Sequence, residues 1–92
     1  MTLLSEEQVH EMLQKAPQWT RTGKEITRGF QFKNFREALA FVVHVGLLAE
    51  RLNHHPHIAI DYKKVVLTLT THSEGGLTEK DFEMARQIDA IA

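Results

Sequence analysis

The apolar residues of this sequence switch repeatedly between the spacing of a helix face and the alternation of a strand. Val9, Met12 and Leu13 fall on one face at helical spacing. Ile26, Phe30 and Phe32 instead follow the alternating pattern of a half-buried strand. Helical spacing returns in the middle of the chain and again at its end. The pattern therefore indicates a mixed fold of helices and strands.

Three helix starts can be recognised from capping residues, each a Ser, Thr or Asn followed three positions later by a Glu, Gln or Asp. The pairs are Ser5 with Gln8, Asn34 with Glu37, and Thr78 with Asp81. Pro17 is expected to close the first helix, because proline cannot donate the hydrogen bond that continuation requires.

Two hairpins are predicted between these helices, with turns at 22–24 and 61–64. In the last strand Val65, Leu67 and Leu69 point to the core, so Thr70 and His72 point the other way. The resulting order is α-β-β-α-β-β-α. We expect a two-layer α+β fold with a four-stranded antiparallel sheet and three helices on one face. With 92 residues, the chain has room for a single domain, residues 1–92.

Composition excludes several function classes. Eleven Lys and Arg against twelve Asp and Glu leave no basic excess for nucleic-acid binding. The absence of cysteine excludes disulfides, thiolate metal sites and a cysteine nucleophile. No secretory signal is visible and no apolar run is long enough to span a membrane, so we expect a cytoplasmic location without membrane contact.

The middle helix is apolar almost all round from Ala38 to Ala49. Packing on one sheet uses one apolar stripe, so the surplus face favours contact with a second copy of the chain. The alternative is a core helix covered by the other two helices.

The sequence is rich in histidine, with six in the chain, and four of them lie between positions 54 and 72. Glu50 and His54 are one helical turn apart, so their side chains can meet. Pro56 forces the helix to end near His54 and His55. In a tight hairpin the end of the last strand returns beside this helix end, so His72 is expected close to both. Converging imidazoles are suited to proton transfer near neutral pH.

Each of these residues also has an ordinary explanation, since histidines cap helix ends, Glu50 can form a surface ion pair and Asp81 completes a capping box. A metal site is a further alternative, with imidazole ligands from His54, His55, His57 and His72 and a carboxylate from Glu50 or Asp81. Adjacent histidines project in different directions, which disfavours the metal site. No role is assigned to His10 or His44.

The spacing of these residues resembles the motif of the pterin-4a-carbinolamine dehydratases. The motif runs Glu50, three residues, His54-His55-Pro56, five residues, Tyr62, nine residues, His72, eight residues, Asp81. The Phe30–Phe35 segment and the Gly76-Leu77-Thr78 cap extend the similarity to nearly the whole chain.

The resemblance implies an enzyme that converts 4a-hydroxytetrahydropterin to quinonoid dihydropterin and water in tetrahydropterin recycling, that is, a 4a-hydroxytetrahydrobiopterin dehydratase. It implies histidine acid-base catalysis with no metal and no cofactor. It also implies homodimers or homotetramers formed through the helix 35–52.

The roles that the resemblance implies are as follows. His54 and His72 form the acid-base pair, and His55 holds the substrate and shares in catalysis. Glu50 orients His54, and Asp81 orients His72. The substrate-binding residues are Asn53, His54, His55, Thr70, Thr71, His72, Ser73 and Trp19. Asn53 and Ser73 stand where some members carry acidic residues, which affects the fine tuning of the pocket. A module that binds a pterin or a protein without turnover is the competing hypothesis.

Overall fold

A computed structural model describes residues 2–92, and its elements follow the predicted order. The first half contains helix α1 (Glu6–Gln14), strand β1 (Thr20–Thr22), strand β2 (Glu25–Gln31) and helix α2 (Phe35–Leu52). The second half contains strand β3 (His57–Asp61), strand β4 (Lys64–Leu69), a 3₁₀ turn (His72–Glu74) and helix α3 (Glu79–Ile91). The α-β-β-α-β-β-α prediction is confirmed.

The four strands form one antiparallel sheet in the order β1-β2-β4-β3. Helix α2 connects β2 to β3, and β4 then inserts between those two strands. Register pairs Ile26 with Leu69 and Phe30 with Val65. Ile58 of β3 lies opposite Leu67. These side chains share one face, and with the buried residues of the three helices they form a single hydrophobic cluster.

Capping explains where the helices begin. The Ser5 and Thr78 side chains each belong to a complete capping box, and the Asn34 side chain accepts from the Glu37 N–H. These bonds satisfy N–H groups that have no partner within the helix. No helix in the described part of the chain combines the length and the hydropathy that crossing a bilayer requires.

The end of α2 is set by a left-handed residue. Asn53 has φ 51° and ψ 44°. Its N–H donates to the Glu50 carbonyl at 3.3 Å, and the His54 N–H donates to the Ala49 carbonyl at 3.1 Å. This is the Schellman arrangement, which closes a helix and reverses the chain direction. Asparagine adopts this conformation more easily than most residues because its short polar side chain tolerates it.

His72 is not at the end of a strand, contrary to the sequence prediction. Strand β4 stops at Leu69, and Thr71 forms an isolated bridge with Gly76. The Thr71 N–H donates to the Gly76 carbonyl at 2.9 Å, and the Gly76 N–H donates to the Thr71 carbonyl at 3.3 Å. The residues between them, 72–75, form a small closed loop that carries His72.

The described surface of α2 carries an apolar stripe, which we call the α2 stripe. Its members recur every four residues and are between 45% and 66% exposed: Phe35, Leu39, Val43 and Leu47. The surplus apolar face expected from the sequence is therefore present, and the other two helices leave it uncovered.

We predict that Asn53→Ala lowers the free energy of unfolding by about 1 kcal/mol, because alanine is strained in the left-handed conformation. Asn53→Gly should stay within about 0.5 kcal/mol of the parent, because glycine adopts this conformation freely. Urea unfolding followed by circular dichroism measures both. Equal stability of the alanine variant and the parent would contradict this account of the helix end.

Candidate active site

The buried carboxyl group of Asp81 organises this part of the molecule. Asp81 is fully buried at the start of α3. Its Oδ2 accepts from the Thr78 N–H at 2.9 Å and from the Thr71 hydroxyl at 2.8 Å. Its Oδ1 lies 2.6 Å from Nε2 of His54. One side chain therefore joins the start of α3, the segment after β4 and the end of α2.

The pairing of the two carboxyl groups differs from the sequence-based expectation. Asp81 pairs with His54 and not with His72. Along the extended segment after β4, Thr71 faces inward to Asp81, and His72 is turned outward. Within residues 2–92 the His72 ring has no side-chain hydrogen-bond partner.

Glu50 pairs with His55 and not with His54, since its Oε2 contacts Nε2 of His55. The left-handed turn at Asn53 is the cause. Because of this turn, His54 leaves the helix face that Glu50 occupies and points inward. The same turn brings His55 back over the last turn of α2. The His54–Asp81 pair is buried, whereas the His55 and Glu50 side chains are both mostly exposed.

A hollow of about 400 Å³ lies between these elements, and we call it the first hollow. Its lining residues are Asn53, His54, His55, Thr70, Thr71, His72, Ser73 and Lys80. Every substrate-binding residue expected from the sequence is among them except Trp19. The expected convergence of His54, His55 and His72 is therefore present.

Trp19 does not line this hollow. The indole is buried, and its N–H donates to the carboxylate oxygens of Asp89 at 2.9 and 3.1 Å. Arg28 pairs with the same carboxylate. Trp19 is thus a core residue that links the segment before β1 to the C-terminal half of α3, and its assignment to the pocket is corrected.

Lys80 was missed by sequence reasoning. Its Nζ donates to the Asn53 carbonyl at 3.2 Å, across the gap between α3 and the end of α2. In the sequence it is one more charged residue in the first turn of a helix, which is normally a solvated position. Its place directly before Asp81 was the one signal that could have indicated it.

A second hollow of about 340 Å³ lies beside the first, on the sheet face that points away from the helices. The two hollows share three lining residues: His55, Thr70 and His72.

Within residues 2–92, no group of three or more His, Asp or Glu side chains is arranged to hold a metal ion. Nε2 of His54 and Nε2 of His55 are each engaged by a carboxyl group.

We predict that Asp81→Asn lowers the free energy of unfolding by about 3 kcal/mol, because the amide nitrogen cannot accept and leaves a buried donor without a partner. Asp61→Asn, the same change at an exposed position, should stay within about 0.5 kcal/mol of the parent. Chemical denaturation of both variants measures the difference. Similar losses in the two would show that the Asp81 network contributes nothing specific.

A family model described as pterin 4 alpha carbinolamine dehydratase matches residues 2–91. A protein of Roseiflexus sp. (strain RS-1) is 52% identical over 90 residues, which cover 98% of this chain and 97% of its own. A protein of Chloroflexus aurantiacus (strain ATCC 29366 / DSM 635 / J-10-fl) is 52% identical over 91 residues, covering 99% and 98%. Both are named pterin-4-alpha-carbinolamine dehydratase, and in both cases the name is provisional.

Solved structures with a similar fold are also known. The crystal structure of a transcriptional coactivator/pterin dehydratase from Brucella melitensis has a TM-score of 0.92 and 43% identity, covering 97% of each chain. A pterin dehydratase-like RuBisCO assembly factor of the α-carboxysome shares the fold, with a TM-score of 0.68 and 24% identity over 80% of this chain and 86% of its own. From its sequence and its fold, this chain belongs to the pterin-4-alpha-carbinolamine dehydratase family.

Proposed function

We propose that the protein dehydrates 4a-hydroxytetrahydropterins to quinonoid dihydropterin and water, a step of tetrahydropterin recycling. The observation that carries the proposal is the convergence of three imidazoles on the first hollow. One of them, His54, is paired through Nε2 with the buried carboxyl group of Asp81. Family membership supports the same reaction class.

The reaction requires two proton transfers and no change of redox state. A proton added to the 4a hydroxyl lets the C4a–O bond break, and water leaves with the electron pair of that bond. The N5–H proton is lost, and the electrons of the N–H bond form the C4a=N5 double bond. An acid near the hydroxyl and a base near N5 are sufficient, and imidazole can fill either role near neutral pH.

We assign the acid-base pair to His54 and His72. The His54–Asp81 bond fixes the orientation of the His54 ring, because a carboxylate oxygen accepts and Nε2 must then carry the proton. Nδ1 is left as the nitrogen that exchanges a proton with substrate. His72 has both ring nitrogens free of side-chain partners in the described part of the chain, so it can supply the second transfer.

His55 is assigned to holding the substrate and sharing in proton transfer. Its pairing with Glu50 favours a fixed ring at the rim of the first hollow. Asn53, Thr70, Thr71 and Ser73 supply hydroxyl, amide and backbone groups for the polar edge of a pterin. The Lys80 ammonium group adds hydrogen-bond donors at the same rim.

We predict that the protein accelerates loss of freshly generated 4a-carbinolamine over the rate in buffer alone. His54→Ala and His72→Ala should each lower kcat by about 10²- to 10⁴-fold, because each removes one acid or base. Absorbance of the quinonoid product measures the rate. His10→Ala is the matched control, because His10 is an exposed residue of α1 outside the first hollow.

Full activity in both the His54 and His72 variants would refute the assignment of roles. The second candidate is a module that binds a pterin or a protein without turnover, and the binding role finds a parallel in the Brucella melitensis relative, which is described as a transcriptional coactivator as well as a pterin dehydratase. Tight binding of a pterin with no acceleration of dehydration would support that candidate. Activity that is lost on chelation would instead support a metal-dependent enzyme.

We further propose that the protein forms a homodimer or homotetramer through α2. The α2 stripe is a row of four large apolar side chains on the open face of this helix. Exposed apolar patches of this kind usually mark contact surfaces, since burial of each such side chain stabilises association. A second copy of α2 offers a stripe of the same shape, as the symmetry of a homo-oligomer requires.

We predict that Leu47→Lys shifts the protein to a monomer, because a charge at the most exposed stripe position opposes its burial between two helices. Analytical ultracentrifugation measures the mass. Gln31→Lys, on the exposed outer face of the sheet, should leave the mass unchanged. A monomeric parent protein, or an unchanged Leu47→Lys oligomer, would contradict the proposed interface.

A further inference from the structure

The side chain of Thr71 is buried, and its hydroxyl group is engaged inside the protein. Thr71 is 6% exposed. Its hydroxyl donates to Oδ2 of Asp81 at 2.8 Å and lies 2.8 Å from the hydroxyl oxygen of Thr78. Because a hydroxyl carries one proton, and that of Thr71 is used on Asp81, the Thr78 hydroxyl is the donor of the second bond. What Thr71 offers to a substrate is therefore its backbone.

The carboxyl group of Asp81 can share a proton with His54 in two ways. Oδ2 accepts from the Thr71 hydroxyl and from the Thr78 N–H, so this oxygen carries no proton. Oδ1 lies 2.6 Å from Nε2 of His54. The proton between them lies either on Nε2, opposite a carboxylate, or on Oδ1, with Nε2 as the acceptor. In the second state, the proton of a neutral ring lies on Nδ1, the nitrogen assigned to the substrate.

The donors on Oδ2 decide between these two states. A hydrogen bond donated to a carboxylate is about twice as strong as one donated to a neutral carboxyl group. The bond from Thr71 therefore favours the state in which the proton lies on Nε2 of His54. Because Asp81 is fully buried, bulk solvent does not compensate for the loss of a donor.

The backbone of Thr71 holds the second imidazole of the proposed acid-base pair. The Thr71 N–H donates to the Gly76 carbonyl, and the Gly76 N–H donates to the Thr71 carbonyl. His72 is the next residue along the chain, so it follows directly from a peptide that is bonded on both sides. One residue thus anchors both imidazoles, His72 through its backbone and His54 through the contact of its side chain with Asp81.

We infer that Thr71 is a positioning residue: acting through Asp81, its hydroxyl keeps the proton of His54 on Nε2 and leaves Nδ1 free to take a proton. The expected effect on rate rests on the proposed function, whereas the position of the ring proton can be measured without a substrate. Because the hydroxyl acts through Asp81, its removal lowers kcat and leaves the binding of substrate unchanged.

Nitrogen-15 NMR of uniformly labelled protein tests the position of the ring proton, because protonated and unprotonated imidazole nitrogens differ in chemical shift. The spectra are recorded at about pH 9, above the ordinary titration range of imidazole near ~6.5. In the parent, Nε2 of His54 should be protonated and Nδ1 unprotonated. Thr71→Val, which replaces the hydroxyl by a methyl group, should move the Nδ1 signal towards the protonated position. Thr71→Ser keeps the hydroxyl and should give the parent spectrum.

Dehydration of the 4a-carbinolamine is measured on the same variants. Thr71→Val should lower kcat about tenfold, because a hydrogen bond to a charged group is lost, and KM should stay within about twofold. Thr71→Ser should keep kcat within about twofold of the parent. Thr27→Val is the matched control, since the Thr27 hydroxyl also pairs with a threonine hydroxyl, that of Thr68 at 3.3 Å, on the outer face of the sheet. It should change neither kcat nor the His54 signals.

A parent spectrum with the proton on Nδ1, or a Thr71→Val spectrum identical to that of the parent, would overturn the inference. A raised KM with an unchanged kcat in Thr71→Val would also overturn it and show that the hydroxyl binds substrate. If circular dichroism shows that Thr71→Val does not fold, Thr71→Ala takes its place with the same expectations. A parent protein that does not accelerate dehydration would refute the proposed function and the effect on rate, and the spectra would still decide where the ring proton lies.

Discussion

The buried carboxyl group of Asp81 is the interaction on which the rest of this site depends. A carboxyl group without solvent is costly unless every oxygen has a partner. Here the donors come from the backbone of α3, from the Thr71 hydroxyl and from the His54 ring. Within residues 2–92, no buried side-chain nitrogen or oxygen lacks a hydrogen-bond partner. The capping bond of a helix and the orientation of an imidazole are thus provided by the same group.

The arrangement divides the three imidazoles by environment. His54 is buried and held by Asp81, whereas His55 and His72 lie at the exposed rim. A fixed ring orientation lowers the reorganisation that a proton transfer requires, and exposed rings exchange protons readily with water. The dehydration proposed above consists of two proton transfers, and this arrangement offers one fixed ring and two exposed rings for them.

Local patterns in the sequence were sufficient for the fold. Capping pairs such as Thr78 with Asp81, and the alternation of Val65, Leu67 and Leu69, depend only on neighbouring residues, so the element order could be predicted. The convergence of the histidines was expected from the hairpin together with the helix end at Pro56, although His72 lies in the loop after β4 and not at a strand end.

The pairing of the carboxyl groups could not be predicted in the same way. It depends on the left-handed turn at Asn53, which does not follow from spacing. Strand alternation did direct His72 away from the core, but the pairing of Asp81 with His72 was taken from the resemblance. The second hollow was out of reach for a related reason, because Glu25 joins it only through the register between β2 and β4. Trp19 was assigned by resemblance, and its Asp89 partner is 70 positions away.

The two backbone hydrogen bonds between Thr71 and Gly76 close a loop, residues 72–75, that lies outside the sheet and the helices. The hydrogen bonds of the strands and of the start of α3 do not involve the residues of this loop. Sequence changes inside the loop, at Ser73 for example, can therefore accumulate without shifting the register of the sheet. Because the loop can change without changing the sheet, ligand preference can diverge at this loop while the architecture is kept.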